Sequence, residues 1–412
     1  DLNPTTSQIG RGEPIKDTAR VLSRYCDVIA IRTFDHSDLE EYAKWSTKPV
    51  INALTDLEHP CQALADFLTI HEEFLDFKDV VLTFIGDGNN DVTAMQIADI
   101  SIACGIVHQP AKGTLNSADY VIYNELALVR LLNQIYSEKD GKSVVITCAG
   151  IGSRLGLDLT KALIKIEGKP LIHHQLDSFE KVEDVRIVVG FQAKEVIQAV
   201  LEKRKDVIFA FNHDYFHTKT GASFYLGARH GKKFVIEWDG DLLVHPKDVE
   251  KCLNFDGEFV GCSDVVSDEP VFVKLNGDNE VVSFSRENGD FEWVGPACIE
   301  RHKVRFVSNN VFNQFENFLP IPMLKTDARD IDTYDDYLRA KILTGFPWNL
   351  IAYSFSNQTE ILSIISIIGT YGFNLFCISL FTCPALIILK NSKKNIALCF
   401  LFFITTIISL FS

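Results

Sequence analysis

A glycine-rich turn carrying two cations follows an apolar, strand-like run in the middle of the chain. The turn comprises residues 149–161, with the sequence AGIGSRLGLDLTK, and the run before it is VVITC. Gly150 and Gly152 allow backbone N–H groups to approach phosphate oxygens closely. Arg154 and Lys161 can neutralise the charge that develops as pyrophosphate leaves. These residue types at this spacing predict nucleotidyl transfer.

An ordinary strand-to-helix turn also uses glycine and leaves its cations solvated, but the sequence that follows favours phosphate binding. Together with residues 162–172 (ALIKIEGKPLI), the turn resembles the opening signature of sugar-phosphate and phosphocholine nucleotidyltransferases, the MobA-like NTP transferases. Thr160 stands where that family usually has proline, and Cys148 where alanine is common, while the lysine is kept. The resemblance implies that Arg154 and Lys161 are catalytic. The nucleotide site that it implies is made of Ala149, Gly150, Gly152, Ser153, Arg154 and Lys161.

Two acidic positions further along could hold a metal ion. Asp239 and Asp241 follow the apolar run 234–238, and Asp332 precedes a predicted helix. Mg²⁺ takes hard oxygen ligands and often bridges phosphates. A simple turn and a helix N-cap are the alternative roles. With the glycine-rich turn, these residues resemble the family's metal pair. The resemblance therefore implies Mg²⁺ on Asp241 and Asp332, with Asp239 as the fallback ligand.

The segment around this turn has the length and alternation of a catalytic α/β domain. Residues 143–349 alternate apolar runs with amphipathic stretches, which predicts a doubly wound sheet. The run 212–223 resembles the segment near the base and the acceptor in phosphocholine-type cytidylyltransferases. The strand candidates are residues 144–147, 185–190, 207–211, 234–237 and 271–275.

The N-terminal residues 1–77 also alternate helical and strand patterns, which predicts a parallel α/β module. Residues 7–34 and 49–70 resemble the carbamoyl-phosphate domain of ornithine carbamoyltransferases. The sequence lacks that family's Ser-Thr-Arg-Thr-Arg loop and both of its ornithine motifs. We therefore expect a vestigial site without carbamoyl transfer. The contacts implied by the resemblance are Gln8, Arg32, His59 and Gln62.

A second partial pattern occupies residues 78–138. Residues 86–105 (GDGNNDVTAMQIADISIACG) are similar to the last motif of haloacid dehalogenase-like phosphatases. That resemblance implies a second magnesium corner at Asp87 and Asp91. The upstream Asp-x-Asp-x-Thr nucleophile is missing from residues 1–86, so no aspartyl-phosphate can form. An Asp-Gly-Asn-Asn turn also occurs in ornithine carbamoyltransferases, so the two patterns overlap here.

Composition limits the kinds of binding partner and the cellular compartment that fit this chain. The net charge of −15 argues against a nucleic-acid groove. The ten cysteines are scattered without a CxxC pair, which fits a reducing cytoplasm rather than a zinc site or disulfide framework. Residues 361–389 and 395–412 carry no acidic or basic side chain, which predicts transmembrane helices whose topology stays open. The start at Asp1 suggests that an N-terminal portion is missing, and a truncated or joined reading frame is a further alternative.

The sequence therefore predicts an α/β protein with a parallel-sheet N-terminal module, a doubly wound nucleotidyltransferase domain and C-terminal transmembrane helices. The predicted function is Mg²⁺-dependent nucleotidyl transfer, with CTP favoured, to a small phosphorylated or phosphonate acceptor, in a membrane-anchored protein with cytoplasmic catalytic domains. Alternatives are carbamoyl transfer by the N-terminal half, a phosphatase remnant and a non-catalytic adaptor. The sequence fixes neither the acceptor nor the oligomeric state. The predicted segments are 1–77, 78–138, 143–349 and 361–412.

Overall fold

The N-terminal segment alternates helices and strands, as the sequence predicts. The computed structural model describes residues 9–74, 80–152, 159–166, 168–265, 267 and 269–331. β1 and β2 pair in parallel, with Ile29 opposite Val50, and form a two-stranded sheet of their own. The elements are α1 (Ile15–Leu22), β1 (Ile29–Arg32), α2 (His36–Trp45), β2 (Val50–Leu54) and α3 (Pro60–Phe74).

The next segment contributes three parallel strands separated by helices. Because parallel neighbours need a crossover, each strand here is followed by a helix that returns the chain to the same edge. The elements are β3 (Thr83–Gly86), α4 (Val92–Ile97), β4 (Ile100–Cys104), α5 (Lys112–Ser117), β5 (Tyr120–Ile122) and α6 (Glu125–Tyr136).

The third segment holds most of the strands. Its first half has β6 (Lys142–Thr147), β7 (Lys165–Ile166), β8 (Lys169–Pro170), α7 (Leu171–Ser178), β9 (Val185–Val189), α8 (Ala193–Lys203), β10 (Ile208–Phe211) and α9 (Thr220–Ala228). Its second half has β11 (Phe234–Asp239), β12 (Leu242–Val244), α10 (Pro246–Asn254), β13 (Phe259–Ser263), β14 (Phe272–Leu275), β15 (Glu280–Ser285), β16 (Phe291–Glu300), β17 (Ile321–Lys325) and β18 (Ala328–Asp330).

Twelve of the strands in the described residues form one sheet, in the order β13-β17-β15-β14-β16-β11-β6-β9-β10-β5-β4-β3. The four strands β11, β6, β9 and β10 are mutually parallel and match the predicted doubly wound pattern. Beyond them the sheet departs from that prediction. β16 runs antiparallel to β11, and the predicted strand 271–275, observed as β14, pairs antiparallel with β15 and β16. The sheet is therefore mixed.

The predicted boundary at residues 138–143 does not interrupt this sheet. β5 pairs with β10 through Val121 opposite Phe209 and Tyr120 opposite Ala210, and the two strands are antiparallel. The three strands β3 to β5 therefore run opposite to β6, β9 and β11. As a result, the carboxyl ends of the two sets of strands point to opposite edges of the sheet.

The core lies on both faces of the sheet because side chains alternate along each strand. In β6, Val144 and Ile146 join one cluster of buried residues, whereas Val145 joins the other. All three side chains are fully buried. This burial on both faces explains the continuous apolar run that precedes the glycine-rich turn.

A buried ion pair ties the second and third segments together. Arg186 in β9 and Asp184 just before it are both inaccessible to solvent, and Arg186 Nε lies 3.2 Å from Asp184 Oδ2. Gln134 on α6 donates to Asp184 Oδ2 and accepts from Arg186, at 2.9 and 2.6 Å. Ser143 donates to the same carboxylate. The remaining guanidinium bonds go to the carbonyl oxygens of Gly227, Arg229 and His230 at the end of α9.

The pKa of Asp184 reflects this network. Burial alone would raise it, but the Arg186 guanidinium, the Ser143 hydroxyl and the Arg130 guanidinium outweigh burial and hold the pKa below its ordinary value. Arg130 Nε lies 3.3 Å from the carboxylate. The carboxylate is therefore ionised in the folded protein, and its removal would leave a buried guanidinium without a counter-charge.

We expect Asp184→Asn to lower the free energy of unfolding by about 3–5 kcal/mol, the usual cost of breaking a buried pair by removing one partner. Urea denaturation followed by circular dichroism measures this loss. Asp27→Asn is the matched control, because the fully exposed Asp27 side chain pairs with Lys48 at 3.2 Å. Equal stabilities for Asp184→Asn and the control would contradict the assignment of the network as a structural tie.

The same network predicts a pH dependence of stability. Burial, followed by the charges of Arg229 and Arg186, lowers the pKa of His230 to about 4 from 6.5. The unfolded chain then binds a proton at a pH where the folded chain does not, so stability falls as the pH drops from about 6.5 to 4. His230 has φ +55°, which asparagine tolerates.

His230→Asn should therefore reduce this acid loss by roughly 1–2 kcal/mol, a figure that allows for solvent screening of a partly exposed group. The measurement is the free energy of unfolding at several pH values between 4 and 7 for both proteins. Parallel pH profiles for the two proteins would rule out His230 as the titrating group.

Candidate functional site

A cleft of about 530 Å³ opens where β6 and β11 end. Among its walls are the predicted loop residues Ala149, Gly150, Gly152 and Lys161. Carboxyl ends of parallel strands are where open α/β sheets bind ligands. The predicted loop residues Ser153 and Arg154 lie outside the described residues. The described part of the loop therefore surrounds one cavity.

Glycine stands at the two loop positions 150 and 152 for different structural reasons. Gly152 has φ +67°, and a Cβ there would lie 3.1 Å from the carbonyl oxygen of Leu159, so the backbone itself favours glycine. A Cβ on Gly150 would meet nothing within 4 Å. Among the described residues nothing requires glycine at Gly150, and no described atom blocks the approach of a ligand to its backbone.

Lys161 and Asp241 form an ion pair at the cleft, with Nζ 2.5 Å from Oδ2. Each side chain is 18% exposed, so the pair is shielded from water but open to the cavity. The Thr160 N–H donates to Gln192 Oε1 at 2.9 Å, which fixes the turn before the lysine. A lysine ammonium at this position is suited to stabilise a phosphate oxygen whose negative charge increases during a reaction.

Asp239 and Asp241 emerge together because Gly240 brings the end of β11 close to β6. The Gly240 N–H donates to the Thr147 carbonyl oxygen at 3.0 Å, and a Cβ on Gly240 would lie 2.6 Å from that oxygen. Thr147 Oγ1 donates to Asp239 Oδ1 at 3.0 Å. The threonine thus orients one carboxylate and the lysine the other.

Two neighbouring carboxyl groups at the end of β11 have raised pKa values. Burial, then the negative charge of Asp241, raises the pKa of Asp239 to about 7. Burial, then Asp239, also raises the pKa of Glu237 well above its ordinary value. Asp241 has Lys161 as an ion-pair partner, which places a positive charge beside it at the cleft.

The described acidic residues suit a magnesium ion that takes most of its other ligands from phosphates and water. Asp330 lines the cleft with Asp239 and Asp241, and the Ile331 N–H donates to the Asp241 carbonyl oxygen at 3.1 Å. Mg²⁺ is commonly held by one or two carboxylates plus substrate phosphates. Among the described residues no group of three or more His, Cys, Asp or Glu side chains forms a metal site. The predicted ligand Asp332 lies outside the described residues.

The cleft includes further functional candidates beside the predicted loop and acidic residues. Asn212 and Lys219, which lies at the start of α9, belong to the run 212–223 that the sequence predicts near the base and the acceptor. Arg286, in the β15–β16 connection, and Asp330 also line the cleft, and the sequence did not single them out. Arg286 donates to the Glu269 carbonyl oxygen at 3.0 Å. No local pattern marks Arg286, because it reaches the cleft only through the antiparallel return of β16 beside β11.

The predicted carbamoyl-phosphate residues are only partly brought together. His59 and Gln62 line a groove beside α3, and Gln62 Nε2 donates to Asp66 Oδ1 at 2.8 Å. Arg32 ends β1 but does not line that groove. Gln8 lies outside the described residues. The described part therefore shows two of the four predicted contacts in one place.

The predicted second magnesium corner contains a backbone cap. Asp91 Oδ2 accepts from the N–H groups of Asp87 and Gly88, both at 2.9 Å. These bonds give the Asp91 carboxylate a capping role and account for the local turn. The corner also follows β3, whose carboxyl end faces the opposite edge of the sheet from the cleft.

Comparison with known proteins identifies the N-terminal resemblance. The model of the aspartate/ornithine carbamoyltransferase carbamoyl-phosphate binding domain matches residues 1–72. An ornithine carbamoyltransferase from Prochlorococcus marinus subsp. pastoris is 51% identical over 228 residues, covering 53% of this chain and 73% of the relative. The chain belongs to the ornithine carbamoyltransferase family. A second ornithine carbamoyltransferase, from Prochlorococcus marinus strain MIT 9312, is 63% identical over 153 residues, covering 36% of this chain and 49% of that relative.

The chain described here also contains a second enzyme domain. The MobA-like NTP transferase model matches residues 144–253, which include the glycine-rich loop, Lys161 and Asp241. The chain is thus a nucleotidyltransferase, as the sequence predicts. The haloacid dehalogenase-like interpretation of residues 78–138 gains no support, since the matching models leave this segment uncovered.

Two further matches are a solved cytidylyltransferase structure and a family model near the C-terminus. The CTP:phosphocholine cytidylyltransferase from Streptococcus pneumoniae is similar at a TM-score of 0.41 and 17% identity, covering 50% of this chain and all of that one; at this TM-score the likeness alone does not establish a shared fold. The N-terminal domain model of apolipoprotein N-acyltransferase matches residues 333–383. These residues, like the predicted spans within 361–412, lie outside the described residues. None of the described helices is long and apolar enough to cross a bilayer.

Proposed function

We propose that the chain is a magnesium-dependent cytidylyltransferase that activates a small phosphorylated or phosphonate acceptor and releases pyrophosphate. The observation that carries this proposal is the Lys161–Asp241 pair, 2.5 Å apart, beside the glycine-rich loop at the cleft. A cation, a carboxylate and open backbone next to one cavity meet the needs of a triphosphate and its metal.

The proposed reaction places the triphosphate along the loop. Backbone at Gly150 and Gly152 would approach its oxygens, and Lys161, with Arg154, would balance their charge. An oxygen of the acceptor phosphate attacks the α-phosphorus in line, and the bond from that phosphorus to the pyrophosphate oxygen breaks. The protein contributes positioning and electrostatic stabilisation rather than a covalent intermediate.

Asp241 and Asp332 are the proposed magnesium ligands, with Asp239 as the fallback. The ion pair with Lys161 at the cleft favours Asp241 as the ligand, whereas Asp239 has a raised pKa and accepts a hydrogen bond from Thr147. When bound, Mg²⁺ would neutralise phosphate charge and polarise the α-phosphate. Lys161, which lies beside Asp241, would contact the departing phosphates.

The acceptor would occupy the part of the cleft lined by Lys219 and Arg286. These two cations come from different elements and suit a second anionic group. CTP is proposed from the resemblance of residues 212–223 to phosphocholine-type cytidylyltransferases. Attachment to a membrane through residues 361–412, with the catalytic part in the cytoplasm, remains a proposal from the sequence.

The first test is pyrophosphate release with CTP, UTP, GTP and ATP in the presence of phosphocholine-like acceptors and Mg²⁺. We expect turnover to be highest with CTP, and Lys161→Ala to lower kcat/KM by about 100- to 1,000-fold, the usual cost of losing one preorganised electrostatic contact. Lys203→Ala is the matched control: Lys203 ends α8 at the opposite edge of the sheet, paired with Asp177. No turnover with any nucleotide, or equal rates for Lys161→Ala and the control, would refute the proposal.

Carbamoyl transfer is the second candidate, favoured by the family match at residues 1–72. We expect no citrulline from ornithine and carbamoyl phosphate, because the sequence lacks the family's main phosphate loop and its ornithine motifs. A colorimetric citrulline assay with the purified chain tests this, with His59→Ala as the control for any signal. Citrulline formation that His59→Ala abolishes would establish the second activity.

A deletion that tests the adaptor alternative has to end before the strands that join the large sheet. Removal of residues 1–138 would delete β5 from the sheet and Gln134 from the buried network. A deletion that ends before β3 keeps both. The activity of such a shortened chain therefore separates an adaptor role of the N-terminal segment from simple loss of the fold.

A further inference from the structure

The cleft wall that carries Lys219 is built from two loops packed tightly together. One is the turn that precedes α9 and contains Lys219, and the other is the loop 304–310, which contributes Asn310 to the cleft. The Lys219 N–H donates to the carbonyl oxygen of Ser308 at 2.9 Å. A Cβ on Gly221 would lie 2.6 Å from a side-chain methyl group of the same loop. The two loops therefore form one continuous wall.

Each of these loops carries an exposed phenylalanine. Phe216, which follows the cleft residue Tyr215, is 74% exposed, and Phe306 is 56% exposed. The Phe216 ring packs edge-on against His217, with ring centroids 5.7 Å apart, and Phe306 packs in the same way against Tyr225 at 5.8 Å. Because a neighbouring ring supports each phenylalanine on one side, its remaining surface is available to an apolar group.

The glycine-rich loop adds a third apolar side chain beside the cleft. Ile151 stands between Gly150 and Gly152, which both line the cleft, and is 37% exposed. Single exposed apolar residues are common on protein surfaces, but here three loops that line one cavity each expose an apolar side chain. Apolar side chains grouped in this way are typical of a ligand-binding groove.

The charges of the same cleft indicate a ligand with two different ends. Lys219 and Arg286 line the cleft and suit an anionic group such as a phosphate. The exposed rings of Phe216 and Phe306 suit a hydrocarbon group, whose transfer from water to an apolar surface is favourable. A ligand that uses both kinds of surface carries a phosphate at one end and an apolar group at the other.

We propose that the acceptor is a phosphomonoester of an apolar alcohol, with its phosphate on Lys219 and Arg286 and its hydrocarbon group along Phe216 and Phe306. This inference rests on the proposed function, since it names the acceptor class for the same cleft. An oxygen of the ester's phosphate attacks the α-phosphorus of the nucleotide and the bond to pyrophosphate breaks. The product is a nucleoside diphosphate ester of the alcohol. The two rings act on binding, so they lower KM for the acceptor rather than raise kcat.

The test measures pyrophosphate release by the full chain with CTP, Mg²⁺ and ethyl, butyl, hexyl or octyl phosphate, each below its micelle concentration. We expect kcat/KM to rise at least about tenfold from ethyl to hexyl phosphate, mostly through KM, since full burial of one methylene is worth about fourfold. Phe216→Ser combined with Phe306→Ser should reduce this ratio to about threefold or less. Phe34→Ser is the matched control and should keep the full ratio, because Phe34 is 90% exposed on the β1–α2 connection and does not line the cleft.

Phosphocholine as an additional acceptor separates this inference from the proposed function. Turnover of phosphocholine with equal kcat/KM for ethyl and hexyl phosphate would overturn the inference alone, whereas no turnover with any acceptor would refute both. A preference for hexyl phosphate that the double variant retains would also overturn the inference. Circular dichroism confirms that each variant is folded.

A last comparison identifies the source of the ester. Dioleoylphosphatidate in dioleoylphosphatidylcholine vesicles presents the same phosphomonoester on a membrane. Turnover of these vesicles that the double variant loses would assign the acceptor to a membrane lipid. Turnover of the soluble alkyl phosphates alone would assign it to a free phosphate ester.

Discussion

The Asp184–Arg186 pair is the interaction on which the remaining architecture depends. It is fully buried, and its partners come from α6, β6 and the end of α9. A charge pair removed from water requires that each remaining donor and acceptor be satisfied, and this one meets the requirement through side chains and carbonyl oxygens from these three parts of the chain. The pair therefore fixes where α6 sits against the nucleotidyltransferase strands.

The candidate cleft depends on the strand register of the same sheet. β6 and β9 are held in register by the sheet, and β11 lies in parallel beside β6 with Asp239 opposite Thr147. Register alone places Thr147 and Asp239 within hydrogen-bonding distance, and Gly240 lets the next carboxylate turn toward Lys161. The two carboxylates therefore have different surroundings, since burial raises the pKa of Asp239, whereas Asp241 pairs with Lys161.

Local signals in the sequence predicted the features that depend on neighbouring residues. The elements from α1 to α3 and the loop with Gly150, Gly152 and Lys161 were found because their apolar periodicity and glycine spacing are local. Arg286 was missed, since it reaches the cleft only after strands distant in sequence have paired, whereas Lys219 lies in the run 212–223 that the sequence predicts near the base and the acceptor. The network around Arg186 was missed for the same reason. For a buried arginine within an apolar strand, the hydrogen-bond and ion-pair partners can be identified only once the fold is known.

The antiparallel contact between β5 and β10 has a consequence for how such a chain could arise. Backbone hydrogen bonds between strands do not depend on which side chains are present, so the open edge of one sheet can be extended by a strand of unrelated ancestry. Here the joint is only two residue pairs long, and the specific contacts around Arg186 and Gln134 reinforce it from the side. Recombination of gene segments at such an edge can thus yield a continuous sheet before any interface has been optimised by selection.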